Sequence, residues 1–257
     1  MKQTTSWVAV VTGAGRGIGE ATARRLCADG AAVGLLDFDV EALSGVADDL
    51  QAAGHRVLPV RTDVRVAAEV EAAVRSVVET FGGLDAVVNN AGVNARFDAV
   101  AMSEDDWDNV FSVDLKAAWL VARATLPHLL KSSRGAMVNI SSIHARLTSA
   151  GVFPYPAAKA AVEGLTRSLA LDYGPRGVRV NAVAPGWTRT ALVEEWLARQ
   201  DDPDQALADV VRVSPLGHMA EPADVAAVVG FLLGPGARAM TGTVVAVDCG
   251  MSARAAF

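Results

Sequence analysis

The stretch "YPAAK" places a tyrosine, Tyr155, four residues before a lysine, Lys159. Four-residue spacing puts both side chains on one face of a helix, one turn apart. Tyrosine is protonated in water at neutral pH, but a neighbouring ammonium group favours the phenolate. Tyr155 is therefore a candidate base toward an alcohol and a candidate acid toward a carbonyl. A surface pair without chemistry has the same spacing, so other motifs must decide.

A glycine-rich turn, "TGAGRGIG" from Thr12 to Gly19, follows the apolar run "WVAVVT". Such glycines let the backbone approach a pyrophosphate closely, and the N-terminus of the next helix favours the negative charge. The spacing GxGxxG is not met from Gly13, because its sixth position is Ile18, and the pattern is TGxxxGxG. Its place between a strand and a helix favours a dinucleotide site over a simple tight connection.

Asp37 ends the second predicted strand, where a carboxylate can bind the hydroxyls of an adenosine ribose. The same charge would repel a ribose 2′-phosphate, so Asp37 favours NAD over NADP. Arg16, inside the glycine turn, favours the phosphate, but the contact of Asp37 with the ribose would be direct and carries more weight. Asp37 is also a candidate N-cap for the helix predicted over 39–53, and both roles can coexist.

Strand-like runs alternate with amphipathic stretches, which predicts a parallel sheet with helices on both faces. The predicted fold class is α/β, a single Rossmann-type doubly wound sheet in one domain over residues 1–257. Pro59 suits an edge strand or a bulge, and the irregular segment 186–221 is a candidate substrate lid. The predicted strands are 7–12, 31–37, 56–63, 84–90, 135–141, 177–184 and 243–248, and the predicted helices are 18–30, 39–53, 66–81, 103–131, 155–173 and 222–233.

The composition narrows the classes of partner. The formal net charge is -6 without a basic run, which argues against nucleic acid. We find no apolar run near the ~20 residues of a membrane span and no signal peptide pattern. The two cysteines, Cys27 and Cys249, form no metal-ligand pattern, so no metal is predicted and free thiols in a reducing cytoplasm are the simplest interpretation.

These motifs together resemble the short-chain dehydrogenase/reductase family over nearly the whole chain. The resemblance also rests on "NNAG", "NISS", "RVNAVAPG" and the terminal "VDCG", all in order. It implies an NAD(P)-dependent enzyme that interconverts a secondary alcohol and its carbonyl, and a homotetramer. It further implies a catalytic set of Ser142, Tyr155 and Lys159, in which the serine hydroxyl holds the substrate oxygen at the tyrosine.

The resemblance implies the cofactor contacts as well. The glycine turn would hold the pyrophosphate, "TDV" the adenine, "NAG" the ribose and nicotinamide, and the loop after the sixth strand the nicotinamide end. The residues so assigned are Gly13, Arg16, Gly17, Ile18, Gly19, Asp37, Asp63, Val64, Asn90, Ala91, Gly92, Tyr155, Lys159, Pro185, Gly186 and Thr188.

Asp114, in "SVDLKAAW", departs from the family pattern, which usually has an asparagine there that helps hold a water in a proton relay. Ionised aspartate donates no hydrogen bond. We expect Asp114 to belong to the catalytic set with altered chemistry. A protonated Asp114, a rearranged water and a different route all remain open. Cys249 stands where glycine is common, and we expect it to have a packing role.

Positions just after the motifs should face the substrate. They combine polar groups with aromatic walls, which suits a sugar or polyol, although each could instead serve as a loop cap or pack in the lid. Two alternatives are a 3-oxoacyl-[acyl-carrier-protein]-type ketone reductase and a non-catalytic NAD-binding sensor. Apolar residues on several faces of 103–131 and 155–173 predict a homo-oligomer. The predicted substrate-facing residues are Asn94, Arg96, Ser142, His144, Tyr155 and Trp187.

Overall fold

A single parallel sheet organises the chain in a computed structural model that describes residues 7–254. Its seven strands lie in the order β3-β2-β1-β4-β5-β6-β7. The order reverses between β1 and β4, and such a switch point opens a crevice at the carboxyl ends of the strands. The strands are β1 (Val8–Thr12), β2 (Ala32–Asp37), β3 (Val57–Arg61), β4 (Ala86–Asn89), β5 (Ala136–Ile140), β6 (Arg179–Pro185) and β7 (Val244–Val247).

Helices cover both faces of the sheet, which confirms the predicted doubly wound α/β class. Leu26 and Val229 pack on one face, and Val74 and Leu126 pack on the other. Every residue of the central strands β1, β4 and β5 is buried, as expected of a sheet covered twice. The helices are α1 (Gly17–Ala28), α2 (Val40–Ala52), α3 (Ala67–Phe81), α4 (Glu104–Phe111), α5 (Ala117–Leu129), α6 (Tyr155–Tyr173), α7 (Ala191–Ala198), α8 (Pro203–Arg212) and α9 (Pro222–Leu233).

The helix predicted over 103–131 is not continuous, and that prediction is wrong in detail. Ser103 caps its start as expected, because its Oγ accepts a hydrogen bond from Asp106 N. A π-helical turn, Ser112–Lys116, then separates α4 from α5. The wider turn contains Asp114, whose buried carboxylate accepts a hydrogen bond from Val93 N. Such turns are frequent at functional sites.

The segment 186–221 is more regular than the sequence suggests. It contains α7 and α8, whose N-caps Thr190 and Asp202 accept hydrogen bonds from Val193 N and Gln205 N.

The strand that contains Pro59, β3, lies at the edge of the sheet, where a missing N–H is tolerated. Within residues 7–254, no helix has the length and apolar character needed to cross a bilayer.

Candidate active site

A cleft of about 910 Å³ lies at the carboxyl ends of the strands. It brings together residues that are distant in sequence, from the glycine turn at one end to Tyr155 and Trp187 at the other. Two predicted site residues, Gly19 and Asp114, lie behind its surface instead of lining it. The predicted residues that line it are Gly13, Arg16, Gly17, Ile18, Asp37, Asp63, Val64, Asn90, Ala91, Gly92, Asn94, Arg96, Ser142, His144, Tyr155, Lys159, Pro185, Gly186, Trp187 and Thr188.

Gly19 is needed where the helix α1 crosses the glycine turn. A Cβ atom built on Gly19 would lie 1.9 Å from Gly13 O and 2.5 Å from Asn90 Nδ2. The Asn90 amide clamps this turn by donating to Thr12 O at 2.9 Å and to Gly13 O at 3.0 Å. Gly19 therefore acts through the shape of the turn, and "NNAG" supports the same turn from β4.

The N-terminus of α1 faces the cleft through Gly17 and Ile18. Its N-cap, Arg16, makes no side-chain capping bond to the helix within the described residues. Backbone N–H groups at such an open helix start bind phosphate, and the helix dipole adds to the attraction. The turn has no room for a side chain at Gly19. Its shape and its open helix start fit the pyrophosphate of a dinucleotide.

Asp37 stands at the end of β2, and its carboxylate is fixed by two backbone groups. Oδ2 accepts from Gly15 N at 2.8 Å, and Oδ1 accepts from Asp39 N at 3.0 Å. The N-cap of α2 is Asp39 rather than Asp37, so the capping role considered for Asp37 falls two residues later. The Arg16 guanidinium forms an ion pair with Asp39, which places a second carboxylate near Asp37, where the ribose was expected.

Asp63 and Val64 line the same end of the cleft, where the adenine was expected. Asp63 forms an ion pair with Arg65 at 2.7 Å. The hydrogen bonds from that guanidinium hold the pKa of the Asp63 carboxyl below its usual range, so it is ionised at neutral pH. Asp63 N donates to Glu69 Oε2, which fixes the backbone here.

Tyr155 begins α6, and Pro156 occupies its first turn, where a missing N–H costs nothing. Lys159 lies one turn later with its Nζ 5.4 Å from the centroid of the Tyr155 ring. The lysine is buried, and its Nζ lies 3.5 Å from Ile140 O and 4.0 Å from Asp114 Oδ1. The helix start therefore brings the phenol and the ammonium group together at the cleft.

Ser142 follows β5 and lines the cleft beside Tyr155. Its Oγ accepts a hydrogen bond from His144 N at 3.2 Å, so the hydroxyl hydrogen stays available for a substrate oxygen. The neighbouring Ser141 Oγ donates to Lys159 O at 3.1 Å and ties α6 to the end of β5. These contacts fix the serine relative to the helix that carries the tyrosine.

Asp114 lies behind the cleft and is 2% exposed. Its Oδ1 accepts from Val93 N at 2.7 Å, and its Oδ2 has no hydrogen-bond partner within residues 7–254. Burial raises the pKa of the Asp114 carboxyl, against the opposing effects of Lys159 and the Val93 N–H. Asp114, Lys159 and Asn89 line an internal cavity of about 10 Å³, close to the least room that holds one water.

The loop after β6 lines the cleft where the nicotinamide was expected. Gly186 passes so close to Asp248 that a Cβ built on it would lie 2.7 Å from Asp248 Cβ. Thr188 Oγ1 donates to Gly186 O at 3.2 Å. Cys249, the residue after Asp248, has a left-handed φ of +53°, which explains why glycine suits this position. The Cys249 Sγ lies 3.7 Å from His218 Nδ1.

The far end of the cleft combines His144, Arg96 and Trp187. The His144 ring stands edge-on to Tyr155, with ring centroids 6.0 Å apart, and its Nδ1 lies 3.1 Å from Thr148 Oγ1. Burial, with a smaller contribution from Arg96, lowers the pKa of His144, so the ring is neutral at pH 7.

Sequence reasoning missed the apolar wall of this end. The wall contains residues from the loops after β4 and β5, from the π-helical turn and from α7, and apolar side chains carry no motif of their own. Val93 directly follows "NNAG", and that position is the sequence signal by which a residue of the wall could have been identified. The wall residues are Val93, Val113, Ile143, Val152, Leu192 and Val193.

Comparisons with known proteins agree with this geometry. A family model described as Enoyl-(Acyl carrier protein) reductase matches residues 13–252. Short-chain reductase protein NovJ of Streptomyces niveus is 40% identical over 244 residues, which cover 95% of this chain and 93% of that protein. Meso-2,3-butanediol dehydrogenase of Serratia marcescens is 39% identical over 247 residues, which cover 96% of this chain and 94% of that protein. 

Among solved structures, a variant of actinorhodin polyketide ketoreductase with NADPH is similar, with a TM-score of 0.93 and 33% identity. The match covers 99% of this chain and 100% of that chain. The fold, the cleft and these relatives define an oxidoreductase that acts on CH–OH groups with NAD or NADP. The chain belongs to the short-chain dehydrogenase/reductase family, which confirms the expectation from its motifs.

Proposed function

We propose that the protein oxidises a secondary alcohol with NAD, or reduces the matching carbonyl, with Tyr155 as the general acid and base. The observation that carries the proposal is one cleft lined by the glycine turn at one end and by Ser142, Tyr155 and Lys159 at the other. The glycine turn would hold the pyrophosphate of a dinucleotide, and Pro185, Gly186 and Thr188 would hold its nicotinamide end. When bound, that nicotinamide supplies the hydride acceptor or donor.

Within this site, each side chain of the catalytic set has a distinct task. The Ser142 hydroxyl donates to the substrate oxygen and holds it at the tyrosine. Tyr155 takes the hydroxyl proton as the alcohol becomes a carbonyl, and returns it in the reverse direction. The buried ammonium of Lys159 stabilises the phenolate that forms. The protein thus supplies position and proton control.

We propose that Asp114 extends the proton path behind Lys159. Its Oδ1 is fixed by Val93 and lies on the side of the lysine, whereas its buried Oδ2 has no partner within residues 7–254. A water in the adjoining cavity could donate to Oδ2 and exchange a proton with Lys159 Nζ. Of the routes left open above, this geometry supports the rearranged water best.

NAD is the proposed cofactor, in preference to NADP. The Asp37 carboxylate is oriented by two backbone N–H groups and keeps lone pairs for ribose hydroxyls. Arg16, the cation that could favour a 2′-phosphate, is paired with Asp39. Preference for NADPH would instead favour the acyl-carrier ketone reductase alternative.

The proposed substrate is a small polar alcohol such as a sugar or a polyol. Asn94, His144 and Trp187 line the far end of the cleft and offer the mixture of polar and aromatic groups that such a molecule needs. The relative named for meso-2,3-butanediol supports a small diol-like substrate.

We also propose that the chain forms one domain with 186–221 as its lid. The lid supplies Leu192 and Val193 to the cleft wall.

We further propose that the protein is a homotetramer in the cytoplasm. Exposed apolar side chains such as Leu171 on α6, which is 77% exposed, favour contact between subunits. Cys27 and Cys249 are both free thiols, which suits a reducing compartment.

The test is a panel of sugars, polyols and simple secondary alcohols, each with NAD and with NADP, followed by reduced-cofactor absorbance. We expect turnover of several members with NAD and much slower turnover with NADP. Tight NAD binding without turnover of any alcohol or carbonyl would contradict the proposal and favour a sensor.

A further inference from the structure

We infer that Arg96 binds a carboxylate of the substrate, so that the enzyme acts on secondary alcohols, or the matching ketones, that carry an acid group. The inference rests on the proposed alcohol–carbonyl oxidoreductase activity, and it replaces the sugar or polyol proposed above with an acid-bearing substrate for the same cleft.

Arg96 differs from the other cations of the cleft in its charge environment. Arg16 and Arg65 form ion pairs with aspartates, and Lys159 lies 4.0 Å from an aspartate oxygen. Arg96 is exposed, and no carboxylate in the described part of the chain forms an ion pair with it. Glu195, which also lines the cleft, pairs with Arg199 at 3.6 Å. The positive charge of Arg96 is therefore available to a ligand.

The backbone around Arg96 is fixed relative to the catalytic helix. Phe97 N donates to Phe153 O at 2.9 Å, two residues before Tyr155. On the other side, Ala95 is buried at 2% exposure. Arg96 therefore lies between two anchored residues, and its side chain projects from a defined place on the cleft wall.

The Arg96 guanidinium also lies over an aromatic ring. Its Cζ lies 5.4 Å from the ring centroid of Trp196 in α7, and the Trp196 ring lies 5.0 Å from that of Trp187. Stacking on an aromatic face engages the plane of the guanidinium and leaves its N–H groups free at the edge. A planar fork of this kind matches a carboxylate with two parallel hydrogen bonds.

Arg96 lines the same cleft as His144 and Tyr155. It is close enough to His144 for its charge to contribute to the lowered pKa of that ring, and the His144 and Tyr155 rings are 6.0 Å apart. Val152, Leu192 and Val193 line the cleft at this end. An acid group at Arg96 would therefore be joined to the reacting carbon by a hydrocarbon segment packed on apolar side chains.

The first experiment measures binding without turnover. The NAD-loaded protein is titrated calorimetrically with cyclohexanecarboxylate and with the uncharged cyclohexanecarboxamide. We expect the acid to bind the wild type about 10- to 100-fold more tightly than the amide, and Arg96→Gln to remove that preference. Arg134→Gln is the matched control, because Arg134 is also exposed and stacks on a tryptophan, Trp7, before the first strand. Equal acid binding by the wild type and R96Q, or none by the wild type, would overturn the inference.

The second experiment measures turnover of two acids of different length, 3-hydroxybutanoate and 4-hydroxycyclohexanecarboxylate, each beside its carboxamide. A higher kcat/KM for at least one acid, lost in R96Q and kept in R134Q, supports the inference. Turnover of the amides at the same kcat/KM as both acids would overturn the inference and leave the proposed function standing. Acid binding that depends on Arg96 without any turnover supports the carboxylate site and counts against the proposed function.

Discussion

Replacing Gly19 by alanine tests whether the glycine turn is shaped for a dinucleotide. The added methyl group would lie 1.9 Å from Gly13 O and 2.5 Å from Asn90 Nδ2. Neither neighbour is the free end of a flexible side chain, because one is backbone and the other donates to Thr12 O and Gly13 O. The turn must therefore open, and the clamp from Asn90 must loosen.

The expected size follows from the cost of overpacking, which is about 1–3 kcal/mol in a well-packed site. For a chain of this length, that corresponds to a fall in Tm of roughly 2 to 12 °C. NAD affinity should fall as well, since the backbone N–H groups that would face the pyrophosphate belong to the displaced turn. Gly19→Ala should thus lower stability and binding together.

Gly45→Ala is the matched control. Gly45 lies in α2, is exposed, and has no atom within 4 Å of a Cβ built on it. Alanine in an exposed helix position stabilises by about 0.5–1 kcal/mol, so the Tm of G45A should rise slightly with NAD affinity unchanged. The assay is thermal unfolding by circular dichroism together with calorimetric NAD titration. If G19A matched the wild type in both Tm and NAD affinity, the described geometry of the turn would be refuted.

Three further predictions concern charged groups. Asp37→Ala should lower the NAD-over-NADP ratio of kcat/KM about 10- to 100-fold, because ribose hydrogen bonds to a carboxylate are lost; an unchanged ratio would contradict it. Burial raises the pKa of Asp114, so the protonated carboxyl adds to the free energy of unfolding at low pH. This contribution is lost as the pH rises through the folded-state pKa of Asp114. Chemical unfolding midpoints of the wild type should therefore fall relative to D114N from about pH 4 upward, and parallel curves would contradict this. Arg96→Gln should raise the pKa of His144 in an NMR titration, because one cause of its lowering is removed, and an unmoved titration would place Arg96 elsewhere.

Motifs with backbone requirements could be predicted from the sequence. The order of strands and helices followed from apolar periodicity, and the edge position of the strand with Pro59 followed from its missing N–H. The glycine turn and Tyr155 were found because their spacing has a geometric meaning, and both line the same cleft.

Features that depend on contacts between distant segments could not be predicted. The π-helical turn contains Asp114, which accepts a hydrogen bond from Val93 N, and the sequence of one helix does not reveal that contact. The pairing of Arg16 with Asp39, and the lack of such a pair at Arg96 among the described residues, emerge only when the loops are placed. The apolar wall of the cleft, to which α7 contributes Leu192 and Val193, could not be predicted for the same reason.

The most direct test of the central claim compares the two tyrosines of the chain. Tyr155 and Tyr173 lie at opposite ends of the same helix, and only Tyr155 lines the cleft within the described residues. Tyr155→Phe should lower kcat by about 10²- to 10⁴-fold while the protein still binds NAD, and Tyr173→Phe should keep the turnover of the wild type. A Y155F variant with the turnover of the wild type would show that Tyr155 is not the acid and base of this reaction.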